Sequence, residues 1–531
     1  MAGDDQTFHD AIEGYCGRLS YFAGDTVELH VSTTADHYGV TVTRWGAERE
    51  VAWTADGLSG VSVAVPPDAD SEGCGWPVSV SFEVDPAWRS GFYLVTLTAA
   101  GAEPGRDVNH ACFVVRGPRA ADERQGVLYV IATNTWNAYN TWGGKSLYTG
   151  GHKVSFSRPF GRGLLDRPEV DRDDRKARPT RYGETPDADG RIFQEYRTTN
   201  AYPSAIGSTG WFTHDRRFVT WAEANGHHFD YAISADLEQD PTALDGYRGV
   251  VLVGHDEYWS GPQRAAIERH VAAGGHLASF SGNTIFWQVR LEPGVGGDSM
   301  VCHKYRAHLD DPVVADGRPE TMTGMWADPL VGEPEWRLLG AGSAFGLYHR
   351  FGTATARGVG GFVVYRDDHW LVEGTGLRYG DVLGGPDGVV GYETVGCPLT
   401  LDELQLPVPS AAAIAAGVPE DSVIVGWVPS SNLGVGEYPA SIAALNDQGD
   451  LEFIAERVFA DGGPDGATET GPERALARAR LGNAVMMTTR PNGDAGGEVI
   501  TIGTTDWVFG LPTDDAVAAV TGNVLRRLAG W

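Results

Sequence analysis

Short stretches of alternating apolar and polar residues fill the N-terminal part of the chain. The stretches that predict strands are residues 27–31, 39–43, 78–84, 91–97 and 111–115. Turn-forming residues separate them, and no helical periodicity lies between them. Regular short strands of this kind are typical of an immunoglobulin-like β-sandwich. We therefore predict such a sandwich over residues 11–117, with a structural or docking role.

The stretch from Tyr247 to Trp287 predicts a strand–helix–strand unit. Residues 249–253 are apolar and rich in β-branched side chains, which indicates a buried strand. Ser260, followed by Gln263 three positions later, is the signature of a helix N-terminus. A glycine pair ends that helix, and residues 276–280 predict a second strand. Units of this type place their strands side by side and parallel.

Two further segments predict additional strands of the same parallel sheet. Residues 126–132 predict a strand, and the asparagine- and aromatic-rich residues 133–144 after it favour a loop over a helix. Residues 497–502 and 513–528 predict a strand–helix pair that rejoins the parallel sheet. Glycine- and proline-rich β segments lie between these parts. We predict one Rossmann-like α/β domain over residues 118–531, with a parallel sheet and β-rich insertions, and so a multidomain α/β protein.

Polar side chains follow both central strands where each strand ends. His255 and Glu257 follow the first strand, and Asn283 follows the second. Ligands of open α/β sheets bind outside the carboxyl ends of the strands. An imidazole, a carboxylate and an amide at this edge could bind a metal or perform acid–base chemistry. The structural alternative is that His255 and Glu257 only cap the following helix and satisfy loop backbone.

Composition narrows the classes of partner. The net charge is −30, which argues against nucleic acid and anionic membrane because both would be repelled. The five cysteines are scattered without a CxxC pair, so neither a disulfide framework nor a thiolate metal site is expected. Pairing of Cys74 with Cys16 or with Cys112 stays open. Without a signal-peptide pattern or an apolar run of about 18 residues, we expect a cytoplasmic protein.

Common catalytic motifs are missing from the sequence. It contains no GxxxxGK[ST] phosphate loop, no HExxH pair and no GxSxG elbow. The residue that follows the central strand is a histidine rather than a serine or cysteine. A serine or cysteine hydrolase is therefore not expected.

Four motifs together resemble the large subunit of N,N-dimethylformamidase and its relatives. They are ATNTWNAYN at 132–140, GHDEYWS at 254–260, SGN at 281–283 and GYE at 391–393. The resemblance runs from about Gly14 to the C-terminus and includes the sandwich. It implies a Rossmann-like sheet of the glutamine-amidotransferase-like kind. The characterised members are amide hydrolases with one iron ion held by two tyrosinates and one glutamate.

The resemblance also implies roles for particular residues. Tyr139 would be a tyrosine ligand of the metal and Glu257 the carboxylate ligand, while His255, Asn283 and Glu393 would position substrate and water. Phenolate and carboxylate are hard donors that suit Fe³⁺. The ion would polarise the amide carbonyl and lower the pKa of a bound water. Glu393 or His255 would move protons between that water and the leaving amine.

The family's second tyrosine ligand is missing at its expected place. That segment, residues 154–159, is VSFSRP and holds Phe156 but no tyrosine before its Arg–Pro pair. Phenylalanine cannot ligate a metal. Tyr148, Tyr182 or Tyr196 could substitute from nearby loops, and the spacing selects none of them.

The leading hypothesis is a metal-dependent hydrolase of small amides with one mononuclear iron. The alternative from another class is a metal-free, glutamine-amidotransferase-like binding or scaffold protein, with a carbohydrate as one candidate ligand. A metal hydrolase of an ester or cyclic imide is a third hypothesis, because the same Lewis-acid chemistry serves all three bonds. The expected partner is a small-molecule amide, and the oligomeric state, including a homo-oligomer, is left open.

Overall fold

The computed structural model describes residues 10–168, 199–203, 206–294, 297–348, 360–431, 447–461, 463–466 and 469–530. The protein is of the mixed α/β class, with several sheets that contain parallel and antiparallel pairs. It forms two compact units. The first contains the described residues of 1–173, 196–247 and 289–302, and the second contains those of 248–288 and 303–531. Within the described ranges, no helix combines the length and apolarity needed to cross a membrane.

The strands and helices are numbered in chain order. The strands up to residue 233 are β1 (Ile12–Cys16), β2 (Ser20–Tyr21), β3 (Thr26–Thr33), β4 (His37–Trp45), β5 (Arg49–Ser59), β6 (Val80–Glu83), β7 (Gly91–Ala99), β8 (Val108–Val115), β9 (Val127–Ile131), β10 (Lys153–Ser155) and β11 (Asp230–Ile233). The later strands are β12 (Gly249–His255), β13 (Tyr258–Ser260), β14 (His276–Gly282), β15 (Trp287–Gly294), β16 (Gly297–Val301), β17 (Gly342–Tyr348), β18 (Phe362–Val364), β19 (Val382–Leu383), β20 (Glu393–Gly396), β21 (Leu399–Leu401), β22 (Pro407–Pro409), β23 (Val423–Ser431), β24 (Leu481–Thr489) and β25 (Val499–Ile502).

The α-helices are α1 (Ala69–Glu72), α2 (Thr133–Tyr139), α3 (Arg216–Ala224), α4 (Ser234–Gln239), α5 (Gly261–Ala272), α6 (Ala307–Asp310), α7 (Pro312–Ala315), α8 (Trp336–Leu339), α9 (Ala411–Ala415), α10 (Asp447–Ile454), α11 (Pro472–Ala479) and α12 (Asp515–Ala529). The described residues contain two π-helical segments, Trp211–Asp215 and Ala455–Phe459. The 3-10 helices are Ala121–Glu123, Lys304–Arg306, Pro319–Thr321, Trp370–Val372, Gly493–Ala495 and Thr505–Phe509.

The first unit contains the strands that the N-terminal alternation predicts. One sheet has the order β1-β3-β6, and a second has the order β2-β8-β7-β4-β5. In β3, Val27, Leu29 and Val31 are buried while the residues between them are not, as the alternation requires. Further along this unit, β11 pairs with β9 in parallel. All five cysteines of the chain are buried free thiols, so neither pairing considered for Cys74 is formed.

The second unit is built on the predicted strand–helix–strand segment. Strands β12 and β14 are parallel neighbours, in register from Gly249 opposite His276 to His255 opposite Gly282. Strand β25 joins β14 in parallel, which confirms that the C-terminal strand returns to this sheet. The sheet continues through β24, β23, β18 and β19, which pair with one another in antiparallel fashion.

Capping residues set where the two main helices of this unit begin. The Ser260 hydroxyl accepts a hydrogen bond from the backbone N–H of Gln263 at 3.2 Å, which confirms the predicted start of α5. Helix α12 begins one residue later than predicted. Its N-cap is Asp514, whose carboxylate accepts from Ala516 and Val517, rather than Thr513. A carboxylate can serve both orphan N–H groups and also favours the positive end of the helix dipole.

Residues 133–139 form helix α2, so the prediction of a loop there is wrong. The amides of Asn137 and Asn140 donate outside the helix rather than to its own backbone. The amide of Asn137 donates to the carbonyl of Val154 at 3.3 Å, and that of Asn140 donates to the carbonyl of Pro159 at 2.9 Å. Every residue of the helix is buried. Packing and hydrogen bonds to residues 154–159 therefore outweigh the weak helix propensity of this segment.

Candidate active site

Three ionisable side chains meet at the carboxyl end of β12. His255 is the last residue of that strand, Glu257 follows two positions later, and Glu393 is the first residue of β20. The Nε2 atom of His255 lies 3.2 Å from a carboxylate oxygen of Glu257 and 2.5 Å from one of Glu393. All three side chains are buried, and one ligand atom from each lies within 4.8 Å of the others. The three residues are called the His–Glu–Glu cluster below.

The two carboxylates govern the charge on the imidazole. Burial alone would lower the pKa of His255, but the negative charge of Glu393 and the hydrogen bond to Glu257 outweigh burial and raise that pKa to about 10. At neutral pH the ring of this cluster is therefore an imidazolium. It offsets part of the charge of two buried carboxylates, which would otherwise repel each other.

Glu257 is held by the segment that follows β14. The indole N–H of Trp287 donates to one carboxylate oxygen of Glu257 at 2.7 Å. The backbone carbonyl of Glu257 accepts from the N–H groups of Phe286 and Trp287, each at 3.0 Å. One residue earlier, the carbonyl of Asp256 accepts from Ile285 at 3.1 Å. These bonds fix both the main chain and the carboxylate of Glu257, which is the preorganisation that a catalytic or metal-binding group needs.

Asn283 is a buried amide with unused hydrogen-bonding capacity. It follows Gly282, which lies opposite His255 in the sheet. Its side chain is 1% exposed, and neither its oxygen nor its nitrogen finds a partner among the described residues. Its backbone has a φ of +51°, in the left-handed region. A buried unpaired amide and a strained backbone both cost free energy, and such costs persist where a ligand completes the hydrogen bonds.

Gly282 lets Glu393 come close to β14. A Cβ atom on Gly282 would collide with the backbone carbonyl of Glu393 and would lie 2.7 Å from the backbone nitrogen of Thr505. The hydroxyl of Thr505 also accepts from the N–H of Glu393 at 3.3 Å. Only glycine fits between these segments. The small residue at the end of β14 thus brings a distant carboxylate to His255.

Left-handed backbone is concentrated around the site. The described non-glycine residues with positive φ are Ala201, Asn283, Ile285, Lys304, Tyr392 and Gln405. Asn283 and Ile285 lie just before Phe286 and Trp287, which bond to Glu257, and Tyr392 directly precedes Glu393. Strained conformations of this kind cluster at functional sites, where the surrounding structure enforces them. Their positions here support a functional interpretation of the His–Glu–Glu cluster.

Tyr139 belongs to the first unit and ends helix α2. Its ring is buried, and its hydroxyl accepts a hydrogen bond from the hydroxyl of Tyr148 at 2.8 Å. The two ring centroids are 4.2 Å apart. Tyr148, one of the three tyrosines considered, is therefore a neighbour of Tyr139, while Tyr182 and Tyr196 lie outside the described residues. The assignment of Tyr139 and Glu257 to one metal stays a prediction from the sequence.

The sequence did not indicate every residue that shapes the cluster. Trp287 and Thr505 hold Glu257 and Glu393, yet no motif pointed to them. Glu393 itself was found only through the resemblance, because it is far from His255 along the chain. Two local signals were present: an indole five residues past the end of β14 and a Gly–Thr–Thr–Asp run directly after β25.

These features define a mixed α/β protein with a buried histidine–carboxylate centre at the carboxyl edge of its parallel strands. The chain belongs to the family described as N,N-dimethylformamidase beta subunit-like, C-terminal, whose model matches residues 39–519. No curated protein matches the sequence. The family resemblance inferred from the four motifs is thereby confirmed.

Proposed function

We propose that the protein hydrolyses the carbon–nitrogen bond of small amides, as the name of its family indicates. The observation that carries this proposal is the convergence of His255, Glu257 and Glu393 within 4.8 Å in a buried site. Asn283 adds an unpaired amide at the same strand ends. Together they offer an acid, a base, a metal ligand and a group that can bind a carbonyl.

The chemistry needs one water molecule and two proton transfers. Asn283 holds the substrate amide by hydrogen bonds. Glu393 takes a proton from the water, whose oxygen bonds to the carbonyl carbon. The imidazolium of His255 gives a proton to the leaving nitrogen as the carbon–nitrogen bond breaks. A proton then passes from Glu393 to His255 across their 2.5 Å contact, so that an amine and a carboxylic acid leave the restored site.

The donor set fits a metal ion. The carboxylate of Glu257 is a hard oxygen donor that suits iron or manganese better than a soft metal, whereas His255, as an imidazolium, would not be a ligand. Glu257 would be a ligand, and its second oxygen is fixed by Trp287, as is common for ligating carboxylates. A bound ion would supply Lewis-acid polarisation of the amide carbonyl. We propose iron as the metal, following the family resemblance.

Elemental analysis with a screen of small amides tests this proposal. We expect about one metal ion per chain and hydrolysis of a small amide such as a formamide. The variant Glu257→Gln should lose both metal and activity. Glu335→Gln is a matched control, because Glu335 is an equally buried carboxyl of the same unit outside the cluster.

Three outcomes separate the hypotheses. Full metal content in Glu257→Gln would contradict its role as a ligand. Ester or cyclic-imide hydrolysis without amide hydrolysis would favour the third hypothesis. A metal-free sample that binds a sugar and hydrolyses nothing would favour the binding or scaffold protein.

We also propose the finer fold assignment. The two sheets of residues 12–115, antiparallel except for the short β2–β8 pair, support an immunoglobulin-like sandwich. The parallel β12–α5–β14 unit and the parallel pairing of β25 support a Rossmann-like, amidotransferase-like sheet. The boundary between residues 117 and 118 stays a prediction. Independent folding of residues 11–117 as a separate fragment would support that boundary, whereas an unfolded fragment would contradict it.

A further inference from the structure

Lys304 is a buried cation enclosed by aromatic rings. Its side chain is 4% exposed, and its ammonium group donates a hydrogen bond to the hydroxyl of Tyr258 at 2.8 Å. The same nitrogen lies 5.0 Å from the ring centroid of Trp287, 5.4 Å from that of Tyr305 and 5.5 Å from that of Tyr258. We call these three rings the aromatic box. All three distances are within the range of cation–π attraction.

Trp287 connects the aromatic box to the candidate active site. Trp287 presents its ring face to Lys304 and its indole N–H to Glu257 at 2.7 Å. On the same ring, Phe453 stacks with centroids 5.7 Å apart, and Tyr305 makes an edge contact at 5.2 Å. The indole is therefore held from several sides. Its only polar atom points at a carboxylate of the His–Glu–Glu cluster.

The backbone of Lys304 supports a specific role rather than chance burial. Its φ is +52°, a conformation that side chains with a Cβ rarely adopt. The N–H of Lys304 donates to the carbonyl of Thr323 at 3.0 Å, which holds the strained turn in place. A buried ammonium and a left-handed lysine each cost free energy. Such costs persist where the surrounding structure enforces them, as at functional sites.

We propose that Lys304 is a positioning residue for the hydrolytic reaction, acting on Glu257 through Trp287. This inference rests on the proposed function. The ammonium attracts the ring face and fixes the plane of the indole, so that the N–H stays directed at the carboxylate. The positive charge also draws electron density from the ring, which makes the indole N–H a stronger donor. Glu257 is thereby held in one orientation before substrate binds.

Nuclear magnetic resonance of the Trp287 indole N–H tests this positioning role directly. In full-length protein labelled with ¹⁵N-tryptophan, the Trp287 indole N–H resonance is identified by its absence in Trp287→Phe. We expect a downfield proton shift in the wild-type protein, as a hydrogen bond to a carboxylate produces. Lys304→Met should move this resonance upfield, and Lys304→Arg should leave it close to the wild-type position because arginine keeps the cation. Glu257→Gln should move it as well, which identifies the acceptor.

Kinetics provide the second readout. Lys304→Met should lower kcat about tenfold or more while KM changes less than about threefold, because the lost interaction matters mainly in the transition state. Lys304→Arg should recover most of kcat. Arg306→Met is the matched control: it removes a positive charge from the same turn, but Arg306 is exposed and paired with Asp310. It should leave both the resonance and kcat unchanged.

The outcomes distinguish this inference from the proposed function. An unmoved Trp287 resonance in Lys304→Met, or equal effects of Lys304→Met and Arg306→Met, would overturn the positioning role. If Lys304→Met fails to fold, Tyr258→Phe removes the hydroxyl that accepts from Lys304 and should give a smaller shift in the same direction. If the wild-type enzyme hydrolyses no amide, the proposed function fails, while the resonance still tests the coupling of Lys304 to Glu257.

Discussion

At the scale of single residues, Glu13 makes stability depend on pH. Its carboxylate accepts hydrogen bonds from the backbone of Asp10 at 2.9 Å, the amide of Asn109 at 2.5 Å and the indole of Trp142 at 3.0 Å. Burial, and then the charge of Asp10, nevertheless raise the pKa of Glu13 from 4.5 to about 8. The folded state therefore binds this proton more tightly than the unfolded chain does.

The sign of the pH effect follows from that raised pKa. The contribution of Glu13 to stability is full below about pH 4.5 and is lost as pH rises towards 8. We expect the free energy of unfolding to fall by roughly 2–4 kcal/mol more in the wild-type protein than in Glu13→Gln over this range. Urea unfolding of both proteins between pH 5 and 8 measures the difference. Parallel curves for the two proteins would contradict the prediction.

Asn283 should show a conflict between stability and activity. The variant Asn283→Gly relieves the left-handed strain at φ +51° and removes the unpaired buried amide. We expect the free energy of unfolding to rise by about 1–3 kcal/mol. Because substrate would lose its amide partner, kcat/KM should fall roughly 100-fold. Denaturant unfolding and steady-state kinetics on the same preparation check both parts, and a destabilised variant would refute the strain argument.

At the scale of elements, a buried ion pair joins β4 to α3. The guanidinium of Arg44 donates to both carboxylate oxygens of Glu223, at 2.6 and 3.1 Å. Both side chains are buried, and the backbone N–H of Ala47 adds a third bond to Glu223. Arg44→Met or Glu223→Leu alone should cost about 3–5 kcal/mol of stability, because each leaves the other charge buried and unpaired.

The double variant tests whether the pair itself stabilises the fold. Arg44→Met with Glu223→Leu replaces both charges by apolar groups of similar volume, so most of the lost stability should return. A double-mutant cycle by urea unfolding gives the coupling energy. Additive losses would show that the two side chains act independently.

Some strands and helices of this protein can be predicted from their local sequence, and others cannot. The strands β3, β12 and β14 and the N-cap at Ser260 depend on side chains close in sequence, and all were predictable. Helix α2 was not, because the amides of Asn137 and Asn140 donate to carbonyls of residues 154–159, which the local sequence pattern does not show. Likewise, the meeting of Glu393 with His255 depends on Gly282 lying against a segment far along the chain. Local sequence patterns do not reveal contacts between residues that are far apart along the chain.

At the scale of the whole molecule, the charge balance is the dominant feature. The chain has 71 acidic residues and 41 lysine and arginine residues, for a net charge of −30. Mutual repulsion of these charges opposes the compact state. We expect the midpoint of thermal unfolding to rise by a few degrees between about 0.02 M and about 0.3 M NaCl, as screening weakens the repulsion. KCl should raise the midpoint of thermal unfolding by the same amount as NaCl. A falling midpoint would show that attractive ion pairs outweigh the net charge.

The left-handed residues beside the His–Glu–Glu cluster also bear on protein engineering. A sequence redesigned for stability alone would place glycine at positions 283, 285, 304 and 392, where this chain has asparagine, isoleucine, lysine and tyrosine. These positions are points of local frustration, where the native residue opposes the preference of its own backbone. Stabilising consensus or computational redesign should therefore spare these four positions. Four of the six described residues with such a conflict are these positions, so a ranking of sites by conflict would direct attention to the candidate active site without any ligand.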